Sequence, residues 1–198
     1  LRLSVVTLGH VHTEDLVALT PHFEHIEQLV LDVAPRDPLD KHRAELNRAI
    51  DAATADWILI VREREVIDEP LAKEIVRVAG AGTAWGFRIR SVAWYAGKPL
   101  QIGAGGGELR LVHRRHLLRR GELAVQGTVV RLETALRSVT FATPEEHRAF
   151  LTQKAAPRPA VRRVIVFAGY VLSTRAFDAN TMRYLWTEAG FTVDDRSV

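Results

Sequence analysis

Cysteine is absent from this 198-residue chain. Disulfide staples and thiolate nucleophiles are therefore excluded, and a cytoplasmic setting is the expectation. No apolar run approaches the ~18 residues that a membrane-crossing helix needs. The longest, Val164 to Leu172, is interrupted by Gly169 and Tyr170. No signal-peptide pattern is visible, and a start at Leu1 rather than methionine leads us to expect preceding residues. A charge excess is also missing. Lys and Arg number 27 against 24 Asp and Glu, a net +3, so the basic pI of 9.6 gives no reason to expect a nucleic-acid partner. Gly-x-Ser-x-Gly and His-Glu-x-x-His do not occur. Gly103 to Gly107 lacks the following Lys-Ser/Thr of a phosphate loop and precedes no helix. It reads as a surface loop or as a mobile loop beside a site.

What is present is the pattern of an α/β domain. Leu3 to Leu8 is β-branched and apolar, as a buried strand requires. Thr13 to Leu19 follows as a short helix, with Thr13 as its cap. Gln28 to Val33 is a second strand, and Pro35 and Pro38 stiffen the next connection. Asp37 and Pro38 then start a helix whose Leu39, Leu46, Ile50 and Ala53 share one face. Trp57 to Val61 is the third strand and Glu69 to Val78 the third helix. Such alternation predicts a parallel sheet with helices on its faces. In these sheets ligands lie beyond the C-terminal strand ends, here Thr7 to His10, Asp32 to Asp37 and Arg62 to Glu65. After Gly80-Ala81-Gly82 the expected strands, Ala84 to Ile89, Val92 to Tyr95 and Glu108 to Val112, make the sheet antiparallel or mixed. Thr143-Pro144-Glu145-Glu146 is a capping box opening a helix to about Lys154. The linker Ala155 to Ala160 leads to a helical pair, Arg162 to Leu172 and Asp178 to Ala189. The expected division is a domain over 1–155 and a helical appendage over 156–198.

The third strand delivers Arg62-Glu63-Arg64-Glu65 at its end. In extended backbone, alternate residues share a side, which would put Arg62 with Arg64 and Glu63 with Glu65. Arginine has no lone pair to give a cation, but two arginines can grip a diphosphate through bidentate hydrogen bonds. The other readings are surface ion pairs with Glu63, Glu65 or Asp68, and a metal site shifted to Glu63 or Glu65. Asp32 can accept from a ribose hydroxyl or a base N–H, or simply cap its loop. His10 and His12 have the alternation of metal ligands but no identifiable third partner. Two basic runs, Arg110 to Arg120 and Lys154 to Arg163, suit either a solvated rim or a surface for phosphate and anionic lipid.

Several passages together resemble glycosyltransferase family 2, over about residues 2 to 155. They are Ser4-Val5-Val6-Thr7, Leu29-Val30-Leu31-Asp32, and Leu46-Asn47-Arg48-Ala49-Ile50-Asp51-Ala52-Ala53 followed by Asp56-Trp57-Ile58-Leu59. Gly86-Phe87-Arg88-Ile89, Tyr95-Ala96-Gly97-Lys98 and Glu108-Leu109-Arg110-Leu111-Val112 follow the order of lipopolysaccharide core transferases. The resemblance implies a GT-A fold of bacterial envelope polysaccharide type. It also implies sugar transfer from a nucleotide-sugar to a glycan or lipid-linked acceptor, with peripheral contact at the inner membrane. Thr7 and Asp32 would contact the nucleotide, Arg62 and Arg64 the diphosphate, and Glu108 would be the base. The family's Asp-x-Asp metal motif is replaced by Arg62-Glu63-Arg64. Its acceptor-side acid is missing near Val125-Gln126-Gly127, and its late histidine is Ser138. Weak or absent catalysis is therefore expected, and a non-catalytic nucleotide-binding, sugar-binding or scaffold role is the alternative.

Overall fold

The computed structural model describes residues 1–33, 42–100, 106–118, 123–154 and 178–188. The chain packs as two compact units, Leu1–Ser91 with Gly105–Arg137, and Val92–Ala104 with Ser138–Val198. The division expected at 155 rested on a linker that lies outside the described residues.

The first unit is a mixed α/β layer structure. Strands β1 (Arg2–Leu8), β2 (His25–Leu31) and β3 (Trp57–Arg62) are joined through a 3₁₀ helix (Thr13–His22) and helix α1 (Arg43–Ala52). Then come β4 (Glu65–Val66), helix α2 (Glu69–Ala81), β5 (Gly86–Tyr95), the short β6 (Lys98–Pro99), β7 (Glu108–His113), the antiparallel pair β8 (Leu117–Leu118) and β9 (Ala124–Val125), and β10 (Val129–Phe141). The sheet order is β2-β1-β3-β7-β5-β10-β4. Both β2 and β3 run parallel to β1, while β7 is antiparallel to β3 and to β5. The expected change from parallel to mixed is therefore present.

Side-chain alternation along the strands builds two apolar layers. Leu3, Val5, Leu59 and Val61 pack with Leu16 and Leu19 of the 3₁₀ helix and Leu71 and Ile75 of α2. Val6, Leu8, Ile58 and Ile60 pack with Leu46, Ala49 and Ile50 of α1. Asp68 caps α2 by accepting from the Leu71 N–H at 3.1 Å, and Gly82 closes it in the left-handed conformation, φ 62°. The side chain of Glu74 on α2 accepts the Glu133 and Thr134 N–H groups of β10 at 3.0 and 2.9 Å. Burial would raise the Glu74 pKa, but these donated bonds outweigh it and lower the value.

Three details depart from the sequence reading. The short helix expected at Thr13 to Leu19 is a 3₁₀ helix capped at His12, whose N–H donates to Asp15. The strands expected at 84–89 and 92–95 are one strand, β5. The long strand β10 was not expected, although Leu132 and Leu136 are buried along it at even spacing. The helix start at Asp37, Pro38 and Leu39, and the helix at 162–172, lie outside the described residues.

In the second unit, β5 turns through Ala96 and Gly97 into β6 (Lys98–Pro99), both turn residues having positive φ, 48° and 77°. That is the hairpin geometry whose twist matches the strands. Helix α3 (Pro144–Lys154) starts at the expected Thr143, whose hydroxyl accepts the Glu146 N–H at 3.2 Å. The Glu146 carboxylate reaches back to the Ala142 N–H at 2.8 Å, one residue before the predicted partner. Helix α4 (Ala179–Glu188) is capped by Asp178 through the Thr181 N–H at 2.9 Å. The fully buried His147 ring stacks between Phe141 and Tyr184, with centroids 4.3 and 5.1 Å away.

Candidate functional site

The C-terminal ends of β1, β2 and β3 meet, as the strand-end rule requires. The Gly9 N–H donates to the Leu31 carbonyl at 2.9 Å, and the Glu63 N–H to the Leu8 carbonyl at 2.8 Å. Gly9 has φ +81°, and a Cβ there would lie 2.7 Å from Glu63 Oε2. Only glycine lets the two chain ends close together in this way.

The strand-end charges do not follow extended-chain alternation. Strand β3 ends at Arg62, residues Glu63 and Arg64 form a turn, and Arg64 has φ 64°. The turn removes the parity that would have put Arg62 beside Arg64. Glu65 instead returns under the strand, and its carboxylate accepts the Arg62 N–H at 2.8 Å. The Arg62 guanidinium turns to Glu108, its Nη2 lying 3.1 and 3.0 Å from the two carboxylate oxygens. Arg64 is exposed.

A fourth residue completes the cluster. Arg110 Nη1 and Nη2 donate to the two oxygens of Glu65 at 3.3 and 3.1 Å, a side-on pair. Nη2 also lies 3.0 Å from Glu108 Oε2. The Arg110 and Glu65 side chains are 2% and 4% exposed, against 23% for Arg62 and 51% for Glu108. The cluster is thus a neutral quartet, buried at one side and open at Glu108. The sequence reading took Arg110 as part of a basic surface run; it is an internal ion.

A β-bulge aims Arg110. Phe87 of β5 pairs with Leu111 of β7, but the next residue, Arg88, pairs with Leu109. Arg110 is the extra residue, and such insertions re-aim a side chain beside a site. Gly107, φ +80°, brings the chain into β7 so close that a Cβ would lie 3.1 Å from the Ile89 backbone. It therefore fixes where Glu108 begins the strand.

The two remaining nucleotide candidates are far from alike. Asp32 is exposed, immediately beyond β2. Thr7 is fully buried, and its hydroxyl has no hydrogen-bond partner.

The residues present do not fit a divalent cation of the kind the resemblance implies. Arg62 and Arg64 offer it no lone pair, and both Glu65 oxygens already accept from arginine N–H groups. Among the described residues, no group of three or more His, Cys, Asp and Glu is placed to hold a metal ion. His10 and His12 are both exposed and belong to no such group.

The other end of the same strands carries rings. Trp57 pairs across β3 and β7 with His113, edge to face at 4.9 Å. Trp85 meets His113 at 5.2 Å and stacks on His116 at 3.9 Å. Burial, then the neighbouring His116, hold the His113 pKa below its ordinary value, with Asp56 opposing them. The basic run passes here too: Arg114 donates to the Ala53 carbonyl, and Arg115 lies 3.7 Å from Asp56. Arg119 and Arg120 lie outside the described residues. Among the described residues, no helix is long and apolar enough to cross a membrane.

No family model and no curated protein matches this chain. Among solved structures it is similar to the crystal structure of S. aureus TarS 1-349. The TM-score is 0.41 and the identity 10%, over 87% of this chain and 72% of that one. A likeness at that level leaves the fold to be argued from the strand order and packing described above.

Proposed function

We propose that this chain is a glycosyltransferase-like domain, of family 2 and GT-A type, that has lost metal-dependent transfer and keeps a binding or scaffold role. The observation that carries the reading is the quartet of Arg62, Glu65, Glu108 and Arg110. It stands at the strand end where the resemblance expects a cation held by acids. Arginines occupy that place and engage the nearby carboxylates. The proposed ligands are a nucleotide-sugar, with Asp32 and Thr7 toward the nucleoside and Arg62 and Arg64 toward the diphosphate, and a glycan or lipid-linked acceptor. Proposed too is a cytoplasmic location with peripheral contact at the inner membrane.

A second reading keeps residual transfer, with Glu108 as the base. Its exposed carboxylate favours this reading, because a base must reach the acceptor hydroxyl. The arginine bonds to both its oxygens count against it. Calorimetry with nucleoside diphosphates and nucleotide-sugars, with and without Mn²⁺, tests the proposal together with a sugar-transfer assay. The expected result is binding indifferent to Mn²⁺ and no turnover. Binding that requires Mn²⁺, or measurable transfer, would overturn it.

A further inference from the structure

One carboxylate oxygen of the quartet is shared between two guanidinium groups. Glu108 Oε2 sits 3.0 Å from Nη2 of Arg62 and 3.0 Å from Nη2 of Arg110. We propose that Arg62 and Arg110 form a phosphoryl-binding site whose resident anion is the protein's own Glu108, displaced when the ligand enters. The inference deepens the proposed function by naming the group this site takes, and it rests on that reading only for the nucleoside part of the ligand.

Charge and exposure carry the argument. Glu65 is buried and committed to Arg110, so Arg62, Arg110 and Glu65 together hold one uncompensated positive charge once Glu108 leaves. Glu108 is the member that can leave at little cost, because half of its side chain already meets water. Its Arg62 partner is partly open, whereas Arg110 is sealed from below by Glu65 and the Ile60 carbonyl. Donors are also left over. Nε of Arg62 and Nε of Arg110 are buried with no hydrogen-bond partner. A carboxylate offers two oxygens to this pair of forks; a phosphoryl group offers three, and arginine forks suit it.

Calorimetry in EDTA and low salt, on the whole chain, provides the test, with phosphate, pyrophosphate, UDP and acetate as probes. Glu108→Gln keeps the size of the side chain and removes its charge. It is expected to tighten pyrophosphate binding about tenfold over the parent protein. Arg62→Gln is expected to abolish binding, and Arg62→Lys, which keeps the charge without the fork, to weaken it. Unchanged affinity in Glu108→Gln, or full affinity in Arg62→Gln, would overturn the site. Acetate binding as well as pyrophosphate would overturn the phosphoryl assignment. UDP binding no better than pyrophosphate would support the phosphoryl site and count against the nucleotide-sugar reading, so the two failures are distinguishable.

Discussion

At one end of the β3–β7 ladder, Trp57, Trp85, His113 and His116 fill space with ring contacts. At the other, Arg62, Glu65, Glu108 and Arg110 fill it with charge. The two strands are the same, so the difference lies in what each end can exchange. Ring packing has no partner to trade, and its gain comes from dispersion and desolvation. An ion cluster open on one side can swap one anion for another. The ring end is accordingly a stabilising region, and the ionic end is the one suited to a ligand.

The largest effect should come from breaking the ionic end from within. Arg110→Met strands Glu65 as a buried charge, and the expected loss is about 3–5 kcal/mol in chemical denaturation. Adding Glu65→Leu should recover most of it, because removing both partners leaves no uncompensated charge. Failure of the double variant to recover would show that the pair specifies the fold rather than merely filling space.

Gly107→Ala comes next. Left-handed backbone costs a non-glycine residue about 1–2 kcal/mol, and the Ile89 backbone 3.1 Å away adds to it. A thermal melt should fall, and β7 should lose its register at Glu108 before the ring end is affected.

The ring end is tested by acid. The His113 pKa is lowered in the folded state, so the unfolded chain binds the proton more readily. Its contribution is complete above the ordinary value of 6.5 and declines as the pH falls below it. His113→Phe should flatten the stability profile between neutrality and the onset of carboxylate titration. Glu27, Glu74 and Asp178, also lowered, lose their contributions at still lower pH, below their ordinary values of 4.5, 4.5 and 3.8. A profile unchanged by His113→Phe would mean that the ring cluster accepts protonation.

Thr7→Val should have the smallest effect. Its hydroxyl is buried and unpaired, so the substitution should leave stability unchanged or raise it by about 1 kcal/mol. Lost UDP binding in this variant, with stability intact, would give Thr7 a ligand role.

Much of this contrast was legible in the sequence, and the rest was hidden for identifiable reasons. Apolar periodicity placed β1, β3, α1 and α2, because both faces of the parallel strands are buried. The capping residue Thr143 marked a helix start through its side-chain oxygen, whereas the cap at Asp68 shows only in the structure. The quartet was not legible as a unit. Arg62 and Glu108 are 46 residues apart, and their meeting depends on a turn at Arg64 and a bulge at Arg110 that no alternation rule contains. Strand β10 was obscured because Val129, Val130 and Arg131 are all exposed at its start.

The sheet order also has a consequence for synthesis. Strand β7 fills the gap beside β3, yet it is made after α2 and β5. Until His113 has left the ribosome, the edge of β3 at Trp57, Ile58 and Leu59 lacks its β7 partners. Apolar edges of this kind invite pairing with another chain. The nascent protein passes through a window in which a strand buried in the finished fold presents an open edge, and truncations ending before β7 should be found in inclusion bodies.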